Sequence, residues 1–449
     1  MGQKIDRTYL FERMPVGQAV RRQIIPSIAS QMVILLYNLA DTYFVGLLND
    51  AVQTAAVSLA YSMTLLMTAL ANLFAVGGAG RIAQLLGRRD RDGAREVCAV
   101  SFWFALLASA AFCVLFTLLS SPILRLCGAT DETYALACGY SRWVISVGGT
   151  FSILNTVLAN LIRADGSAFA ASMGVSAGGI INMLLDPLFV LPRFLGMGAE
   201  GAGLATAISN AAGMLILLGI IAARRRVGVV ALRPGDLRAA RRHIGRILRI
   251  GLPSAVQFLL TLVAVGALTK FMSLYDTAAV AALGIVKKLD MLPLYFSIGV
   301  ANGLLPLLAY NYSAENHERR HRIFLCGCAV AVGFSVVCVA GYEVFAPALV
   351  RIFIGDAQTI AYGTKLLRIM VLAMPMMSVC YPMITQFQAM GRMRESLICS
   401  ILRKGSLDIP LLFVLNALFP LYGCAAVQPI VDCICMIVAI YFYKKLPTA

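Results

Sequence analysis

The sequence predicts an all-α polytopic membrane protein of twelve transmembrane helices, arranged as two pseudo-symmetric six-helix bundles. Three observations carry this. Of the 449 residues 60% are apolar and 13% are charged, whereas a water-soluble globule is about half apolar and a quarter charged. At roughly 35 residues per span and loop, the chain has room for about a dozen spans. Its two halves also resemble each other at an offset of about 225 residues.

The first span, 23–47, follows Arg21 and Arg22; no short apolar segment with a small-residue cleavage site precedes it, so it is expected to be retained. The next five are expected at 53–80, 97–120, 134–161, 168–191 and 201–223. Charged or Gly/Pro clusters such as Arg88-Arg89-Asp90, Asp131-Glu132, Arg163-Ala164-Asp165-Gly166 and Pro192-Arg193 separate them. The basic stretch 224–249 reads as a cytoplasmic linker suited to anionic headgroups. Spans at 250–274, 279–310, 323–347, 360–389, 396–418 and 421–443 complete the set. The organisation is therefore an N-lobe over 1–223, the linker, and a C-lobe over 250–449.

With the N-terminus inside, cytoplasmic segments would hold 27 of the 38 Lys and Arg residues. The positive-inside rule thus places both termini in the cytoplasm of a cell-membrane protein. The duplication is visible segment by segment: Ile25-Pro26-Ser27 recurs as Leu252-Pro253-Ser254, Ala55-Ala56 as Ala281-Ala282, Gly166 as Gly391, and Phe189-Val190-Leu191 as Phe413-Val414-Leu415. An even number of spans per copy keeps the copies in the same orientation, related by an axis along the membrane normal, with substrate between the lobes.

Several functions are set aside. The net charge of +16 is confined to breaks between apolar runs, which reports topology and not nucleic-acid binding. The 12 cysteines lie mostly in apolar runs without a CxxC pair and read as reduced packing residues. His317-Glu318-Arg319-Arg320-His321 fits HExxH formally, but as part of a charged loop; Gly196 to Gly201 spells GxGxxG after an apolar helix instead of a soluble strand. Neither is expected to be a metal or dinucleotide site. No Walker A pattern, cofactor or catalytic group is expected, so the protein is not read as an enzyme.

A charge at mid-membrane costs about 2.5–3.5 kcal/mol on insertion scales. Inside the expected spans lie Asp41, Asp186, Asp290, Asp408 and Asp432 with Lys287, Lys288, Arg403 and Lys404. Asp41 and Asp186 each stand 18 residues into their spans, a depth of about 27 Å. Tyr37 and Asn182 lie one turn below them, and Thr206 and Asn210 of the sixth span approach the same level. Two carboxylates sharing a low-dielectric pocket do not both ionise easily, which is the chemistry of a proton or Na⁺ site. The alternative is that Asp186-Pro187 ends its span and Asp41 faces the interface. In the second half, Lys404 and Asp408 at i, i+4, with Asp432 matching Asn210, suggest a buried ion-pair network. Lys287, Lys288 and Asp290 either line the cavity or snorkel outward.

These residues resemble the multidrug and toxic compound extrusion (MATE) family. The resemblance rests on Leu36-Tyr37-Asn38-Leu39-Ala40-Asp41-Thr42-Tyr43-Phe44-Val45-Gly46, Leu86-Gly87-Arg88-Arg89-Asp90, Asn182 through Asp186-Pro187, and Ala309-Tyr310-Asn311-Tyr312-Ser313-Ala314. It implies two bundles around a central cavity that opens alternately to either side. In the branch resembling DinF and MepA, it implies that Asp41 and Asp186 carry the coupling ion, with Asn182, Tyr37 and Thr206 as hydrogen-bond partners. The branch resembling NorM has a glutamate where this chain has Thr261, and an aspartate in the tenth span that is absent here.

The function expected is a secondary antiporter exporting organic, often cationic amphipathic compounds, coupled to H⁺ or Na⁺ entry. Met173, Asn155, Asn210, Lys287 and Asp290 are the candidate cavity residues. The partners expected are small organic molecules and lipids, with a monomer sufficient. The alternative is a flippase for a lipid-linked or anionic substrate, favoured if the second-lobe lysines face the cavity.

Overall fold

A computed structural model describes residues 8–48, 50–126 and 130–445, excepting the side chains of 51, 54, 55 and 58–62. The expected cytoplasmic residues 1–7 and 446–449 lie outside it. The first half contains α1 (Val16–Gly46), α2 (Ala51–Gly87), α3 (Arg91–Leu126), α4 (Asp131–Ser141), α5 (Gly149–Ala164), α6 (Ala168–Val190) and α7 (Gly198–Arg224). The second contains α8 (Ala240–Met272), α9 (Thr277–Ser313), α10 (His317–Arg351), α11 (Ala357–Val371), α12 (Met374–Ala389), α13 (Met393–Ile401), α14 (Asp408–Leu418) and α15 (Tyr422–Lys444).

Among the described residues, 9 helices are long and apolar enough to cross a membrane, and 11 if each of two bent pairs is one span. The pairs occupy matching places in the two halves: α4, extended by a π-helical turn over Arg142–Val147, meets α5 at 45°, and α11 meets α12 at 43°. The remaining expected span, the eleventh in chain order, comprises α13, a π-helical turn over Leu402–Ser406, and α14. Lys404 leaves helical geometry there (φ −133°, ψ 17°). This break corrects the expected i, i+4 relation of Lys404 to Asp408, since the intervening backbone is not one α-helix.

Capping explains several starts. The Asp50 carboxylate accepts from the Val52 N–H at 2.9 Å, Thr130 and Thr133 form a reciprocal capping box, and the Asp356 carboxylate accepts from the Thr359 N–H at 2.8 Å. Helices extend further than the apolar runs because backbone hydrogen bonding continues into polar turns. Residues 240–249, expected in the linker, form the first turns of α8, leaving a 3₁₀ turn at Pro234–Ala239 in the connection. HERRH likewise is the opening of α10 and not a loop.

The duplication extends to strained backbone. Positive φ occurs at Arg89 (62°) and Glu315 (59°), and at Gly166 (79°) and Gly391 (71°), the matching turns of the two halves. A left-handed residue closes each helix there and turns the chain towards the next.

One end of the bundle carries both described termini: Arg319 donates to the Phe11 carbonyl at 2.8 Å, and His321 bonds the Tyr443 hydroxyl at 2.5 Å. At this terminal face the halves share one apolar core, from Ala75 and Ile82 of α2 to Ile247 of α8, Leu304 of α9 and Phe387 of α12. Close approach requires glycine here. A Cβ on Gly251 of α8 would sit 2.6 Å from the Leu73 carbonyl carbon of α2, and one on Gly303 of α9 would sit 2.8 Å from Ile24 Cα of α1. The segment before α1 adds a strap: buried Phe11 stacks on Tyr310 at 4.7 Å, while Leu10 and Phe11 cover Gly166 of the first half. A second core, including Met272, Leu283, Leu366 and Val431, belongs to the second half alone.

Candidate functional site

Asp41 lies one turn from the end of α1, and Asp186 one turn from the end of α6, so equal depth follows from where both helices stop. α6 runs through Pro187 to Val190. Asp186-Pro187 is therefore not the last point of the helix, which continues three residues further: proline forfeits one backbone bond without halting it there. Asp186 is fully buried. Asn182 Nδ2 donates to Asp186 Oδ1 at 3.3 Å and lies 3.3 Å from Thr206 Oγ1 on α7. Asn210 Nδ2 donates to the Thr206 carbonyl at 2.9 Å. Gly179 lets α6 approach α1, for a Cβ there would stand 3.1 Å from Tyr37 Cδ1.

Sequence reasoning missed Tyr140. Its hydroxyl donates to Asp41 Oδ2 at 3.3 Å from the buried face of α4. The signal was depth: Tyr140 lies nine residues into α4, about 14 Å from the far face, where Thr206 also lies on α7. An uncharged tyrosine near a helix end reads as an interface residue unless depths are compared.

Among the described residues, three oxygen atoms here are buried without a donor: Asp41 Oδ1, Asp186 Oδ2 and Asn182 Oδ1. The carboxylates lie within electrostatic reach of each other. A low-dielectric pocket holding two acids and more acceptors than donors is stabilised by a cation, whether a proton on one carboxylate or a hard ion among the oxygens. Among the described residues no group of three or more His, Cys, Asp or Glu is arranged to hold a metal.

The other candidates scatter. Asn155 is buried on α5 with its Oδ1 unbonded and its amide over Gly213 of α7. Met173 is 55% exposed on α6. Lys287 lines a cleft inside the second half with Lys404, Asp408 and Gln428, and Asp290 is outside that lining. The buried ion pair is Arg403–Asp432, at 2.8 Å with both side chains 1% exposed. Arg403 also lies over the Tyr381 ring, 4.4 Å from its centroid. Lys404 instead donates to Gln428 at 2.5 Å, and Gln428 to Asp432 at 3.0 Å.

Comparison with known proteins adds independent findings. The MatE family model matches twice, over residues 26–188 and 253–414. The chain is 29% identical over 437 residues to the multidrug export protein MepA of Staphylococcus aureus, covering 97% of this chain and 95% of that protein. The MepA of Staphylococcus saprophyticus is 27% identical over 436 residues, with the same coverage. A multidrug resistance MATE family transporter of the MOP superfamily, solved outward-facing, superposes with a TM-score of 0.90 at 24% identity, covering 98% of each chain. A Pyrococcus furiosus MOP superfamily transporter, described as having a binding pocket of reverse polarity, gives 0.91 at 25% identity, covering 99% of this chain and 98% of that one.

Proposed function

This chain belongs to the MATE family of multidrug efflux transporters, and from that membership we propose that it is a cation-coupled antiporter working by alternating access. The single observation carrying the coupling assignment is the trio of buried, undonated oxygens on Asp41, Asp186 and Asn182. The 27 of 38 Lys and Arg residues in the expected cytoplasmic segments support the placement of both termini in the cytoplasm of a cell-membrane protein. At the terminal face α1 packs closely against α9 and α2 against α8, so the coupling ion is assigned an entry from the opposite side. A proton or Na⁺ entering there neutralises the acids, and Tyr140, Asn182 and Thr206 rebalance their hydrogen bonds. Cation binding drives export to the extent that it favours one arrangement of the lobes over the other. The named exporters among the relatives favour efflux over the flippase alternative.

The test is efflux of a cationic dye from proteoliposomes under an imposed ΔpH or Na⁺ gradient, for wild type, Asp41→Asn and Asp186→Asn. Gradient-driven efflux in wild type, lost in both variants, is expected, and the effective gradient names the ion. Full transport by Asp41→Asn at equal protein content would sink the assignment.

A further inference from the structure

The second half contains a counterpart of the Asp41/Asp186 pocket with its charge reversed. The offset that aligns Pro26 with Pro253 carries Asp41 onto Leu268, and the one that aligns Phe189 with Phe413 carries Asp186 onto Pro410. Where the first half places acids, the second therefore places apolar residues. Leu268 nevertheless lines a cleft, with about 450 Å³ of empty space including its open mouth, to which Lys287, Lys404, Asp408 and Gln428 also contribute. Gln428 is the counterpart of Thr206 by the register that matches Asp432 to Asn210. Two of these three counterparts, those of Asp41 and Thr206, thus border a cleft that carries two ammonium groups.

Charge accounting identifies what is lacking. Arg403 and Asp432 pair with each other at 2.8 Å and cancel. Among the residues lining the cleft, Lys287, Lys404 and Asp408 leave a net charge of +1. Asp408 is 6% exposed, and neither of its carboxylate oxygens has a donor. A buried site with surplus positive charge and an unused acceptor is completed by an anion that also carries a hydrogen-bond donor. The rest of the lining, including Leu268, Met370, Leu412 and Val427, is apolar. The enclosed part of the cleft is only about 30 Å³, room for a carboxylate head group, so the body of the molecule lies in the open mouth.

We infer that this cleft is a substrate subsite for the carboxylate end of an amphipathic organic molecule, its carboxylate held by Lys287 and Lys404 and its donor group by Asp408. The assignment rests on the efflux reading and extends the substrate class from cations to molecules that also carry an acid.

Rhodamine 110 and its methyl ester test it, because both carry amino N–H donors and they differ only in whether the benzoate is free. Equilibrium binding to the purified full-length protein in detergent should favour the acid by about tenfold or more, the worth of a hydrogen bond to a charged group. Lys287→Gln and Lys404→Gln should each bring the acid-to-ester ratio towards one, whereas Lys287→Arg should retain it. Equal wild-type affinities, or a ratio unchanged by Lys287→Gln, would overturn the subsite; the wild-type comparison requires no variant to fold. Gradient-driven efflux of the ester by wild type tests the antiport reading separately. Its absence together with an intact acid preference would remove the antiporter and leave the subsite.

Discussion

Removing one member of the Arg403–Asp432 pair should damage this protein more than removing both. The N–O separation is 2.8 Å and each side chain is 1% exposed, so Asp432→Asn leaves a buried guanidinium over Tyr381 without its counter-charge. Breaking a buried pair this way costs about 3–5 kcal/mol, whereas exchanging both partners for apolar residues of similar size is close to neutral. Arg403→Met alone strands Asp432 with only the Gln428 amide, at 3.0 Å, among its side-chain donors. The double variant Arg403→Met/Asp432→Leu should recover most of either loss, giving a coupling of about 2 kcal/mol or more in a double-mutant cycle. Buried thiols provide the readout: Cys380 Sγ lies 3.7 Å from the Asp432 carbonyl, and Cys435 Sγ lies 3.4 Å from that of Cys399. Melting followed by a thiol-reactive fluorophore should fall by about 2–4 °C per kcal/mol for a unit of about 200 residues. A single variant melting within a degree of wild type, or a double variant as unstable as the two singles combined, would refute the reasoning.

Tyr140→Phe removes the donor to Asp41 Oδ2 and should lower gradient-driven efflux about tenfold, the worth of a hydrogen bond to a charged acceptor, measured in the same proteoliposomes. Gly251→Ala forces a methyl against the backbone of Leu73 and should cost about 1–3 kcal/mol in thermal unfolding; Gly266→Ala, with nothing within 4 Å, is the control that should melt like wild type. Outside the membrane, hydrogen bonds from Thr359 hold the Asp356 carboxyl below its ordinary range. A lowered folded-state value means stabilisation present above the ordinary carboxylate range and lost as pH falls through the lowered one. Asp356→Asn should therefore flatten the acid side of the melting-temperature profile, and an unchanged profile would dismiss this cap.

Composition and span count were legible because hydrophobicity is additive along a chain: no tertiary contact is needed to see that 60% of it is apolar. The duplication and the equal depth of Asp41 and Asp186 were legible for a related reason, since a helix converts residue number into height. Asn182 and Thr206 followed because they stand one turn from, or level with, a misplaced charge. The ends of α8 and α10 were not legible, because arginines that stop an apolar run do not stop a helix.

What the sequence by itself determined is the membrane class, the twofold repeat and the height of each charge. Only the tertiary structure decided which residues at one height meet, since that depends on each helix's rotation and tilt, set by packing between segments far apart in the chain. It chose Tyr140 as the partner of Asp41, Asp432 over Asp408 as the partner of a buried cation, and the terminal face as the place where glycines bring the halves together. Height is a local property of the chain, whereas azimuth is a property of the whole bundle.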